Sequence, residues 1–146
     1  MKARVKWLDG MAFVAEADSG HGIVLDGSPE IGGRNLGARP MEMVLMGLGG
    51  CTAIDVMMIL GKQRQPVQDC WIELQAERAE VAAPKVFTKI HLHYVVVGEG
   101  VEAKQVERAV KLSADKYCSV SAMLKEKVEI TYDFEVRSAT GSETGA

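Results

Sequence analysis

Apolar and polar positions alternate in two short runs near the N-terminus, Ala3 to Trp7 and Ala12 to Ala15, with Asp9-Gly10 between them. Alternation of period two predicts strands, and an Asp-Gly pair supplies the positive φ that a tight hairpin needs. Gly22 to Leu25 predicts a third strand, stopped by the turn residues Asp26-Gly27-Ser28-Pro29. The glycine-rich stretch from Glu30 to Arg39 then reads as a flexible surface loop. It carries Arg34 and Arg39, but neither the GxGxxG nor the GxxxxGK(S/T) phosphate fingerprint is present.

The pattern changes at Pro40. From Met43 to Leu60 the chain is apolar or small at every position except Thr52 and Asp55, with Cys51 near the middle. Pro40 suits the first turn of a helix, where its missing N–H has no partner to lose. Gly61, Lys62 and Pro66 mark the end of that helix. A helix apolar on all sides must be buried on all sides. One domain of 146 residues surrounds such a helix with difficulty, so the pattern alone points to a partner subunit.

Beyond the helix, Val67 to Glu80 alternates with Cys70, Ile72, Leu74 and Ala76 on one face, and Val86 to Val97 is rich in β-branched and aromatic residues. The two predict a long hairpin. Glu102 to Lys116 has helical spacing, turning Val106, Ala109, Val110 and Ser113 inward, and Cys118 to Lys125 predicts a second short helix. Lys127 to Val136 alternates as a last strand. The tail, residues 137–146, is rich in Ser, Thr and Gly, lacks large apolar anchors and reads as disordered. Strands interleaved with helices in this order give an α+β fold, one domain over residues 1–136.

Composition narrows the function. A net charge of −3 without a basic block, and few aromatic residues, argue against nucleic acid as a partner. The run from Met43 to Leu60 reaches the lower limit for a membrane span, but Asp55 and the glycines inside it oppose a place in lipid. The N-terminus, MKARVKWLDG, lacks the apolar stretch of a signal peptide. Three cysteines in such a chain suit a reducing, cytoplasmic setting. Without a CxxC pair, a zinc site has no sequence signature. His91 and His93 share one face of a strand but lack a third ligand at suitable spacing, so a half-exposed sheet face accounts for them.

Cys70 reads as a small strand hydrophobe. Cys51 and Cys118 each lie on or beside a helix that carries a buried face, so two helices could bring the sulfurs together as a redox pair; two separate buried thiols remain the alternative. A nucleophilic cysteine needs help to ionise. Cys118 could draw it from a helix N-terminus and Lys116. Asp55, one turn after Cys51, opposes ionisation there.

Pro40-x-Glu42…Cys51, followed far along the chain by Lys116-Tyr117-Cys118-Ser119-Val120, resembles the OsmC/Ohr family of osmotically inducible and organic-hydroperoxide-resistance proteins. The order of elements agrees over residues 1 to 136. The resemblance implies antiparallel sheets wrapped around a long central helix in an intertwined homodimer. It further implies thiol-dependent peroxidase chemistry; no cofactor or metal is expected. Cys51 would attack an organic hydroperoxide and become a sulfenic acid, Cys118 would resolve it as a disulfide, and an external dithiol such as a lipoylated protein would reduce the pair. Glu42 would be the acidic partner, and Met43, Met46, Met57 and Met58 apolar walls favouring organic peroxides.

Three positions depart from the peroxidase pattern. Met41 follows the proline where that branch has its acid, so Glu42 is turned by about 100° on the helix. Ser119, not proline, follows the second cysteine. Residues 11–22 carry no arginine, which leaves Arg4, Arg34 or Arg39 as substitutes. A rival function is therefore a non-catalytic protein of the same fold that holds a hydrophobic small molecule in the dimer groove.

Overall fold

The structure, a computed structural model, describes residues 1–139. It divides into two compact units, Met1–Met46 and the chain from Gly47 onward.

In the N-terminal unit, β1 (Ala3–Asp9), β2 (Ala12–Ala17) and β3 (Gly22–Asp26) form an antiparallel meander in that order. Gly10, at φ 54°, makes the first turn as expected. The loop after β3 is not a loose one. Asp26, only 2% exposed, accepts the backbone N–H groups of Arg34 (3.0 Å) and Leu36 (3.2 Å), and Leu25 bridges Ala38. Two loop glycines are there because backbone passes against them: a Cβ on Gly33 would sit 1.7 Å from the Gly27 carbonyl oxygen, and one on Gly37 2.2 Å from that of Val24. The expectation of flexibility rested on composition, whereas close approach explains the glycines.

Helix α1 (Pro40–Lys62) starts in this unit. Glu42 Oε1 accepts the Arg39 N–H at 2.8 Å, the return half of a capping box. At the far end α1 runs through Gly61. Arg64, not a glycine, takes the left-handed conformation (φ 54°), while the Gln65 N–H closes on the Leu60 carbonyl at 3.0 Å.

The second unit carries a sheet of order β4-β5-β6. β4 (Asp69–Arg78) and β5 (Phe87–Val97) pair antiparallel, as the hairpin reading required. β6 (Glu129–Arg137) runs parallel to β5, with Ile90 opposite Ile130 and His93 opposite Asp133. This corrects the expectation of antiparallel strands throughout. The connection between them contains α2 (Ala103–Leu112) and α3 (Ser119–Leu124), long enough for the crossover that a parallel pair needs. The expected helix to Lys116 gives up α-helical spacing after Leu112 and finishes as a π turn, Ser113–Tyr117, closed by Cys118 N–H to the Ser113 carbonyl (2.9 Å). The tail from residue 140 lies outside the described residues.

The core of this unit is built from Ile90, Leu92, Tyr94, Val95 and Val96 of the central strand with Val106, Ala109 and Val110 of α2, all at most 3% exposed. α1 adds Leu48, Gly49, Thr52, Val56 and Leu60. These recur at three- and four-residue spacing, so they form one stripe. A Cβ on Gly49 would reach 2.9 Å from Leu74 Cδ1, which is how closely the stripe packs on β4. The remaining apolar face of α1 is bare within one chain: Ile54 is 64% exposed and Met58 55%, and Gly47 and Gly50 face open space. Burial all round is not reached by a single copy.

Candidate functional site

Cys51 and Asp55 are four residues apart on α1, hence on one face. At 100° per residue they occupy the flank between the buried stripe and the bare face. Cys118 arrives from the other side as the N-cap of α3, where its Sγ accepts the Ser121 N–H at 3.4 Å. The Sγ atoms of Cys51 and Cys118 and a carboxylate oxygen of Asp55 all lie within 4.8 Å of one another. Cys51 is half-buried, while Cys118 is 3% exposed.

Behind the cluster runs a chain of hydroxyls. Tyr94 OH lies 2.7 Å from Thr52 Oγ1, which lies 2.7 Å from Ser113 Oγ, which donates to Asp55 Oδ2 at 2.9 Å. Each hydroxyl has one proton to donate, and the carboxylate can only accept. With the Ser113 proton committed to Asp55, Thr52 must donate to Ser113, and Tyr94 must donate to Thr52. The direction of the whole relay follows from its acidic end. Thr52, Tyr94 and Ser113 are all at most 2% exposed, so this polarity is fixed inside the core.

Burial pushes the Cys118 thiol up to about 11; the Ser121 N–H works against this, and the neighbouring Cys51 thiol and the charge of Asp55 add to it. No cation stands among these leading influences. The Tyr94 hydroxyl is pushed up to about 12, again chiefly by burial, against the lowering effect of its bond to Thr52. Burial also raises the Cys70 thiol, on β4, which reads as the strand hydrophobe expected.

A cleft of about 340 Å³ opens beside Asp55, with Met58, Ile59 and Leu112 as apolar wall and Lys62 and Arg108 as cations. Arg108 was not legible as a site residue, because an exposed arginine in an amphipathic helix looks like any solvated charge. Of the arginines singled out from sequence, Arg34 pairs with Asp9 (3.2 Å) and Arg39 holds Asn35 Oδ1 (2.7 Å), both in the N-terminal unit, where Arg4 also lies. Glu42 is engaged in capping α1. Of the four methionines, Met58 lines this cleft and Met46 lines a separate one in the N-terminal unit. Parallel pairing sets Asp133 between the two histidines: its Oδ1 lies 3.0 Å from His91 Nε2 and 2.7 Å from His93 Nδ1. That hydrogen bond raises His93 above its usual range and lowers Asp133 below its own.

Comparison with known proteins places this geometry. Over 139 residues the chain is 50% identical to Protein YhfA of Escherichia coli (strain K12), covering 95% of this chain and all of that one. A crystal structure of a hypothetical protein from Aquifex aeolicus VF5 is 35% identical and superposes with a TM-score of 0.77 over 92% of this chain and 96% of its own. The organic hydroperoxide resistance protein OhrB of Bacillus subtilis, 18% identical, shares the fold at a TM-score of 0.61 over 92% of this chain and 98% of its own. The family model for OsmC-like protein matches residues 32–133. With its α+β architecture and the long helix that carries Cys51, this chain belongs to the OsmC-like protein family.

Proposed function

We propose that the protein is a thiol peroxidase that reduces organic hydroperoxides, working as a homodimer in the cytoplasm. The observation that carries this reading is the juxtaposition of Cys51 and Cys118, two thiols within 4.8 Å of one another beside a carboxylate. Their inequality supports a division of roles. Cys118 is buried and holds its proton tightly, so it is a poor first nucleophile; Cys51 is half-buried on the flank of α1.

Asp55 accepts the Cys51 proton as the thiolate sulfur attacks the terminal oxygen of ROOH. The O–O bond breaks, the leaving alkoxide takes a proton to become ROH, and Cys51 becomes a sulfenic acid. The Cys118 sulfur then displaces the sulfenic hydroxyl, forming a disulfide and releasing water. An external dithiol, a lipoylated protein in the reading from resemblance, reduces the disulfide and is itself oxidised. The apolar wall of the cleft favours an organic R group, and Arg108 and Lys62 there supply positive charge. A second copy covering the bare face of α1 completes the burial that one chain leaves open.

The test mixes reduced protein with an organic hydroperoxide and follows both peroxide and thiols by mass spectrometry. One equivalent of peroxide should convert Cys51 and Cys118 to an intramolecular or intersubunit disulfide, leaving Cys70 reduced. Peroxide that persists over reduced Cys51 and Cys118 would refute the activity.

A further inference from the structure

We propose that the reduced protein binds one Zn2+ per chain through Cys51 Sγ, Cys118 Sγ and a carboxylate oxygen of Asp55. This site goes beyond the peroxidase reading and stands on the geometry alone.

Two sulfurs and a carboxylate oxygen form a donor set that zinc accepts, with a fourth, open position for water. At ordinary zinc bond lengths in a tetrahedron, such atoms stand about 3.6–3.8 Å apart. Here all three lie within 4.8 Å of one another before any metal is present, so closing on an ion requires movements of about 1 Å or less. Spacing of four residues on α1 sets Cys51 and Asp55 on one helical face, the spacing by which a helix presents two ligands to one ion.

The supporting contacts are also those of a metal site. Ligating groups need outer partners that fix their orientation. Ser113 donates to Asp55 Oδ2 at 2.9 Å, which anchors the carboxylate to the buried relay through Thr52 and Tyr94. The Ser121 N–H donates to Cys118 Sγ at 3.4 Å, a contact that strengthens when the sulfur is a thiolate. By contrast, the nitrogens of His91 and His93 that face Asp133 are both turned onto one carboxylate oxygen, so that cluster is closed by its own hydrogen bonds. The ligands come from two distant segments, which is why no spacing in the chain announces them.

Binding releases the two thiol protons. If the peroxidase reading also holds, metal and disulfide exclude one another. A zinc bis-thiolate, one ROOH and two protons give disulfide, ROH, water and free Zn2+, so oxidation ejects the ion.

The experiment titrates the full-length reduced protein with Co2+ under anaerobic conditions. A thiolate-to-cobalt charge-transfer band should saturate at one Co2+ per chain and be displaced by Zn2+, the stronger binder in such a site. Cys70→Ser should retain the band, Cys51→Ser and Cys118→Ser should lose or shift it, and Ser113→Ala should weaken affinity by about 10-fold or more. Should a cysteine variant fail to fold, the wild-type protein supplies the second readout: Zn2+ should protect Cys51 and Cys118, but not Cys70, from alkylation. Reduced wild-type protein without a thiolate band, or with a band that survives Cys51→Ser unshifted and undiminished, or Zn2+ that leaves Cys51 alkylation unchanged, would overturn the site. None of these readouts requires peroxide turnover, so failure of the peroxidase reading and failure of this one are told apart.

Discussion

Thr52→Val removes the middle of the hydroxyl relay while keeping its shape, so no cavity opens and the cost is that of polar groups left without partners. Tyr94 OH and Ser113 Oγ, each 2.7 Å from Thr52 Oγ1, suffer unequally. Ser113 keeps its donation to Asp55 and loses only an accepted bond. Tyr94 loses its acceptor at a position 1% exposed, where water cannot replace it. An orphaned buried donor costs about 1–3 kcal/mol. We therefore expect Thr52→Val to cost about 2 kcal/mol, a fall in Tm of roughly 4–8 °C for a chain of this size. Tyr94→Phe takes the donor away with its need, and Thr52 still donates to Ser113, so about 1 kcal/mol is expected. In the double variant neither member of the broken pair is present. Its cost should fall short of the sum of the singles by about 1 kcal/mol, beyond the roughly 0.5 kcal/mol scatter of independent sites. Urea unfolding at one fixed protein concentration measures all three, since an oligomer's stability depends on concentration. Additive costs, or a Thr52→Val protein as stable as wild type, would show that the relay is not coupled as described.

Other outcomes follow from the same geometry. Asp55→Asn should slow Cys51 oxidation by organic hydroperoxide about 100-fold, the usual scale of a lost proton acceptor; if Asp55 acted only as a like charge, stopped-flow rates would rise instead. Ile54→Lys, on the bare face of α1, should give a monomer by light scattering at micromolar concentration where the wild-type protein is a dimer, and a monomeric wild type would remove the dimer reading. The raised His93 contributes stability that is full below its ordinary value of 6.5 and fades as pH rises through the raised one. Lowered Asp133 contributes above its ordinary value of 3.8 and loses this as pH falls through the lowered one. Unfolding measured from pH 4 to 9 should show a shallow loss on the alkaline side that His93→Gln flattens; a slope unchanged in that variant would assign it elsewhere. The effect is small because the Asp133 side chain is 60% exposed and water screens the pair.

Local rules made most of the fold legible. Asp9-Gly10, Pro40 and the alternation of residues 67–97 each announce an element through contacts of short range, and each element formed close to its expected limits. What local rules could not show was direction and contact at long range. The alternation of β6 is the same whether it runs with or against β5, so the parallel pairing, and with it the place of Asp133 between His91 and His93, was invisible. The glycines of the loop before α1 were misread for a related reason: composition cannot distinguish a glycine that permits motion from one that permits contact. At the site, Cys51 and Cys118 could be singled out because few residue types are nucleophilic. Thr52, Ser113 and Tyr94 could not, since nothing marks a hydroxyl as buried before the strands and helices are packed.

Asp55 is where the two views part most sharply. As a point charge one helical turn from Cys51, it disfavours a thiolate, and a sequence can show no more than that. In the structure its carboxylate stands at the end of three donors in series, each polarising the next toward it. Donation from Ser113 spreads part of the negative charge away from the sulfurs and fixes the carboxylate beside them. An arginine would favour a standing thiolate. In the proposed reaction Asp55 takes the thiol proton and returns it to the leaving oxygen. A carboxylate beside two sulfurs is also what the proposed zinc ion would require. If the proposed reaction holds, its acid–base chemistry runs through Asp55, oriented by a serine of the π turn.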